Sequence, residues 1–153
     1  MKQIIIPILF MLAALPTFAE ENTSSPHKRP DINEMHERKW RFILEETHLN
    51  EEKARKIKPL FMEFEKSSWQ LHEKVRSQFK EVHLKMAKKE PVDYDKLNDS
   101  AVGAEIEQAG LLEKYHTALK LILSPEELFG FYRAEHKFKK ILLQNISKRK
   151  GRM

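Results

Sequence analysis

The sequence predicts an all-α fold of four helices, two of them long. Three observations lead there. The composition is rich in helix formers, with only 4 glycines and 33% charged residues among 153. Apolar residues recur at helical spacing over most of the chain after residue 32. Two short stretches, Leu49-Asn50-Glu51-Glu52-Lys53 and Leu123-Ser124-Pro125-Glu126-Glu127, each join a leucine, an N-capping side chain and acids suited to the positive end of a helix dipole.

Residues 1–19 have the layout of a cleavable secretory signal. Lys2 gives the positive start, Ile4 to Leu15 the apolar stretch, and Thr17-Phe18-Ala19 a small-x-small cleavage site. The apolar run is broken by Pro7 and Pro16 and is short of the roughly 20 residues that a membrane span needs. A periplasmic location is therefore expected. Residues 20–30 are polar and end at Pro30, with Pro26 among them, which predicts a flexible arm over 20–32. The helical domain is expected over 33–146, followed by a basic, frayed tail over 147–153.

Within that domain the first helix is expected from about Asn33 to Thr47. His36, Trp40, Ile43, Leu44 and Thr47 make its main stripe, with Met35 and Phe42 on the other side. The second runs from Asn50 to about Lys88. Ala54, Ile57, Phe61, Phe64, Ser68, Leu71, Val75, Phe79, Val82 and Met86 fall within an arc of about 100°. Pro59 should kink it, since proline removes a backbone donor and crowds the preceding turn. A turn at 88–93 leads to a third helix from Tyr94 to about Ile122, with Leu97, Ala101, Ala104, Gln108, Leu111, Leu112, Tyr115, Leu119 and Ile122 on one side. The fourth starts at Pro125, with Ser124 and Glu127 placed to close a capping box. It uses Leu128, Phe131, Tyr132, Phe138, Leu142 and Ile146. Helices this long in so short a chain suit an elongated hairpin or a dimer better than a compact bundle, because one face of each must be covered.

Charge and composition narrow the function. The chain has no cysteine, so an exported form must be stable without disulfides. Its formal net charge is +5, which in an exported protein points to anionic lipid, polyanions or acidic protein surfaces rather than nucleic acid. No serine–histidine–acid set, phosphate loop or nucleophilic cysteine is present, so neither an enzyme nor a bound cofactor is expected. The acidic pairs Glu51-Glu52 and Glu126-Glu127 are accounted for as first-turn dipole and capping groups.

Seven histidines raise the question of a metal, but none forms a His-x-x-x-His pair. His72, His83 and Met86 are the weak candidates, with His83 and Met86 three residues apart. Glu135 falls inside the apolar stripe of the fourth helix. It either pairs with a group on a neighbouring helix or sits at the edge of a binding surface. Met62 and Trp69 lie off the main stripe of the second helix, and Val102, Ile106 and Ala109 form a second face on the third. Both sets read either as a second packing layer or as an exposed patch. In the latter case Lys58, Lys66, Glu73 and Arg76 would ring Met62 and Trp69.

The two leucine-cap-acid starts resemble the paired LTxxQ-like motifs of the Spy/CpxP-type periplasmic stress proteins. The resemblance covers roughly residues 36–146. Its flanks are similar to the branch common in Bacteroidetes-type bacteria: Phe42-Ile43 with Glu45-Glu46, Lys58-Pro59-Leu60-Phe61 with Glu63-Phe64-Glu65, and Phe131-Tyr132-Arg133-Ala134-Glu135 followed by Phe138 and Leu142-Leu143. Asn50 and Lys53 stand where the first motif has threonine and glutamine; Ser124 and Glu127 stand there in the second. Lys53 cannot accept a hydrogen bond, so the first capping box is expected to stay open.

This resemblance implies a cradle-like homodimer of long antiparallel hairpins. It would act as an ATP-independent chaperone for unfolded or partly folded envelope proteins, or as an adaptor or inhibitor acting on a membrane stress sensor. A metal-responsive sensor, for example one linked to a sigma-factor system, is the alternative within the family. An anionic-membrane-surface binder is the alternative outside it.

Overall fold

A computed structural model describes residues 31–150, less the side chains of Ile146, Arg149 and Lys150. Residues 1–30, on which the expected signal segment and most of the expected arm fall, lie outside the described residues. The fold is all-α, with α1 over Ile32–Thr47, α2 over Glu51–Ala87, α3 over Tyr94–Lys120 and α4 over Pro125–Lys150.

Each helix starts on a side-chain cap. Asp31 accepts from the Asn33 amide at 2.9 Å, Asn50 from Lys53 at 2.9 Å and Asp93 from Lys96 at 3.0 Å. At α4 the box is reciprocal: the Glu127 amide donates to Ser124 Oγ at 3.2 Å, and the Ser124 amide donates to Glu127 Oε2 at 2.8 Å. α1 ends in a left-handed His48 whose amide donates back to Leu44, and Lys89 also has positive φ in the turn after α2.

Three boundaries differ from expectation. α1 begins at Ile32, so the arm ends earlier than residue 32, because Asp31 supplies the cap. α3 stops at Lys120, and Leu121 to Ser124 form the turn into α4. α4 runs through Lys150 rather than fraying from Ser147; cations in the last turns favour the negative end of the helix dipole. α2 spans 37 residues without a break at Pro59. The Arg55 carbonyl that loses its donor there belongs to an exposed residue beside an exposed proline, where water can serve it.

α2 pairs with α3, and α1 with α4. The two pairs meet in one core of Trp40 and Ile43 from α1, Ile57 and Phe61 from α2, Tyr115 and Leu119 from α3, and Leu128, Phe131 and Ala134 from α4. Leu123 from the intervening turn completes it. The Trp40 ring tilts against Phe61 at 5.2 Å and Phe131 at 6.5 Å. Phe42, on the second side of α1, packs on Phe138 at 5.5 Å.

Beyond this head, α2 and α3 continue as a two-helix arm. No residue between His72 and Lys114 is buried. The seam positions Val75, Phe79, Val82, Leu97, Ala101 and Ala104 are only half-buried, because two helices alone cannot enclose a core. Polar rungs cross the same seam. Gln108 Nε2 donates to Ser68 Oγ at 3.0 Å, and Ser100 Oγ donates to Gln78 Oε1 at 2.8 Å.

Candidate functional site

The head and the arm carry different chemistry. Inside the head, Lys39 of α1 reaches between two carboxylates, 2.7 Å from Glu65 on α2 and 3.1 Å from Glu135 on α4. Its ammonium also lies 5.4 Å from the centre of the Phe61 ring. His36 Nε2 stands 4.0 Å from Glu65, and the residue is only 5% exposed. Glu135 Oε1 makes no aligned hydrogen bond, so its attraction to Lys39 is that of a charge pair.

Burial alone would lower the Lys39 ammonium, but Glu135 and then Glu65 outweigh it and hold it above its ordinary value. Burial pushes the Glu135 carboxyl upward; Lys39 offsets this only in part, and the charge of Glu65 adds to it. Burial holds His36 below its usual value against the pull of Glu65. Tyr115 is pushed far up, first by burial and then by Glu135 and Glu65, and its buried hydroxyl makes no hydrogen bond. Tyr132 is pushed up to about 12 by burial and Glu135, and its hydroxyl lies 2.8 Å from His116 Nδ1. The cluster ties three helices together.

The Tyr115 ring stacks on Phe64 at 4.4 Å and helps to floor a groove along the α2–α3 seam. The groove consists of two depressions of about 260 Å³ each, which share Ser67 and Leu111. Leu60, Phe64 and Ala118 line it toward the head, with Glu63 and Lys114 at its margin; Leu71, Lys74 and Glu107 line it toward the arm. It lies on a different side of α2 from Lys58 and Glu65, which meet α1. Beside the groove Trp69 (37%) and Ile106 (68%) are exposed, and further out the arm exposes Leu84, Met86, Tyr94 and Val102 (61%).

These placements revise the candidate patch around Met62. Met62 is half-buried and packs against the core, and Lys58 pairs with Glu37 of α1 at 3.0 Å. Glu135 is inside the head rather than on its edge. Lys66 and Arg76 are exposed, with Arg76 bonded to Glu73 three residues away. Only Trp69 of the original pair reaches solvent appreciably, and the larger exposed apolar stripe is Val102 and Ile106 on α3.

All three metal candidates lie on α2. His72 Nδ1 and His83 Nδ1 lie 2.7 Å and 2.8 Å from the carbonyls of Ser68 and Phe79 in their own helix, and Met86 is exposed. Among the described residues no three His, Asp or Glu side chains converge as metal ligands.

One contact was hidden from sequence. Lys53 closes no capping box, but its ammonium lies 2.7 Å from both carboxylate oxygens of Glu127. The two leucine-cap-acid motifs are therefore joined, the first supplying a cation to the acid that caps the second. That pair holds the Glu127 carboxyl below its ordinary value, with the Ser124 amide helping. A lysine at position 53, unable to close a capping box, was the signal that the sequence offered. No protein-family profile, curated protein or solved structure matches the chain.

Proposed function

We propose that this chain is an exported polypeptide-binding protein of the Spy/CpxP-like kind, holding unfolded or partly folded envelope proteins without ATP. The observation that carries this reading is the arm: from His72 to Lys114 nothing is buried, while Val102 and Ile106 stand more than half exposed. Such a surface, apolar side chains among charges, accepts loosely folded chains with little demand on shape. The adaptable thioether of Met86 suits it as well. A second copy packing along part of the arm would give the homodimer that the sequence motifs suggest.

The test is light scattering from a chemically denatured model protein diluted into buffer with stoichiometric amounts of the chain. The wild type should delay aggregation in the absence of ATP. Paired Val102→Asp and Ile106→Asp substitutions, and separately Trp69→Asp, should abolish most of the delay while leaving helical circular dichroism intact. Unchanged suppression by all of these variants would exclude the arm as the binding surface.

A further inference from the structure

The outward face of α4 combines cations with exposed apolar side chains. From Leu128 to Lys150 the sequence holds seven Lys and Arg and one acid, Glu135, which is turned inward to Lys39. Phe129, Arg133, His136, Lys140 and Leu143 fall within an arc of about 80° at 100° per residue. All five are exposed, Phe129 at 70% and Leu143 at 57%. On α1, the helix packed on α4, Glu46 takes Lys137 at 2.7 Å. Cations in a final turn are explained by the helix dipole, but Arg133 and Lys140 lie too far from the end for that account.

We propose that this face docks on an anionic lipid surface, with Arg133 and Lys140 meeting the headgroups and Phe129 and Leu143 entering the interface. Those two anchors are about 21 Å apart along the helix axis, so α4 would lie in the plane of the membrane. Among the described residues no helix is long and apolar enough to cross a bilayer, which fits a peripheral mode. An acidic protein would match the charge as well. The interspersed Phe129 and Leu143 favour lipid, since an interface takes up cationic headgroup contacts and apolar side chains together. This is separate from polypeptide holding by the arm, which lies on α2 and α3.

The test is flotation with vesicles of phosphatidylglycerol mixed into phosphatidylcholine against phosphatidylcholine alone. The chain is expressed with its own leader and recovered as the cell delivers it, so that all variants share one N-terminus. Binding should favour the anionic vesicles and weaken on going from about 0.1 M to about 1 M salt, as the screening length falls from about 10 Å to about 3 Å. Arg133→Glu with Lys140→Glu should lower partitioning about 25-fold or more, at roughly fivefold per cation lost. Phe129→Ser with Leu143→Ser should lower it about tenfold while keeping the salt dependence. Equal binding to both vesicle types, or charge reversal without effect, overturns the proposal. So does displacement by soluble polyglutamate together with an unaffected Phe129→Ser/Leu143→Ser variant, which would assign the face to an acidic polypeptide.

Discussion

Replacing Lys39 with methionine would isolate the charge at the centre of the head. Methionine keeps most of the aliphatic stem that packs near Phe61 and removes the ammonium that lies 2.7 Å from Glu65 and 3.1 Å from Glu135. Two carboxylates would then face each other with no cation between them. Exposed ion pairs contribute about 0–1 kcal/mol, whereas removing one partner of a buried pair costs about 3–5 kcal/mol. The side chains of Lys39, Glu65 and Glu135 are 18%, 15% and 16% exposed, which places the cluster nearer the buried limit. We expect a loss of about 2–3 kcal/mol near neutral pH. In urea, with a slope of about 1.5 kcal/mol/M, the midpoint should fall by about 1.3–2 M. Trp40, buried against Phe61 and Phe131, gives a fluorescence signal from the same core. Adding Glu135→Gln should recover most of the loss, because the remaining Glu65 is then no longer opposed by a second charge. A midpoint shift under about 0.3 M, or a double variant no more stable than the single one, would refute the reasoning.

Other expectations follow from the same contacts. His36 is held below its ordinary value by burial, so the unfolded chain takes up a proton first as the pH falls. The stability contributed by its neutral ring is complete above about pH 6.5 and is lost as the pH drops through that value. The raised carboxyl of Glu135 works the other way, adding stability as the pH falls toward the ordinary carboxylate value. Comparing wild type with His36→Gln by urea titration between pH 5 and 7 separates the two, and the variant should lose the destabilisation that His36 causes on acidification. Ser124→Ala should cost about 1 kcal/mol by opening the α4 cap, while Lys53→Ala should cost less than about 1 kcal/mol because its pair with Glu127 is a third exposed. Equal losses in thermal melts would mean that the ion pair, not the cap, fixes that helix start. His48→Gly should raise stability by about 0.5–1 kcal/mol, since His48 holds φ at 50° where glycine is unstrained; an unchanged or lower melting temperature would contradict this.

The helices were legible in the sequence because their caps and periods agree: Asn50, Asp93 and Ser124 stop the chain at positions where an apolar stripe begins. His36, Trp40, Ile43, Ile57, Phe61 and Leu119 were also identifiable as inward-facing from spacing alone. The head's charge cluster was not. Lys39 lies off the main stripe of α1, and its meeting with Glu65 and Glu135 depends on how three helices cross, which periodicity along one helix does not encode. The two readings of Met62, packing layer or exposed patch, could not be separated for a related reason: the side of α2 beyond its main stripe is covered in the head and bare in the arm. Lys53 and Glu127 are separated by 74 positions, and only their tertiary approach turns an open capping box into a link.

The polar rungs across the arm constrain how it can move. Sliding α2 against α3 by one helical turn, about 5.4 Å, would part Gln108 from Ser68 and Gln78 from Ser100, leaving amide groups without partners in a partly closed seam. Splaying or bending spares these bonds far better than slippage does. The arm therefore behaves as a ruler with fixed graduations: Trp69, Met86, Val102 and Ile106 keep their order and spacing even as the two helices flex. Whatever attaches to that surface has to adjust its own conformation to the marks.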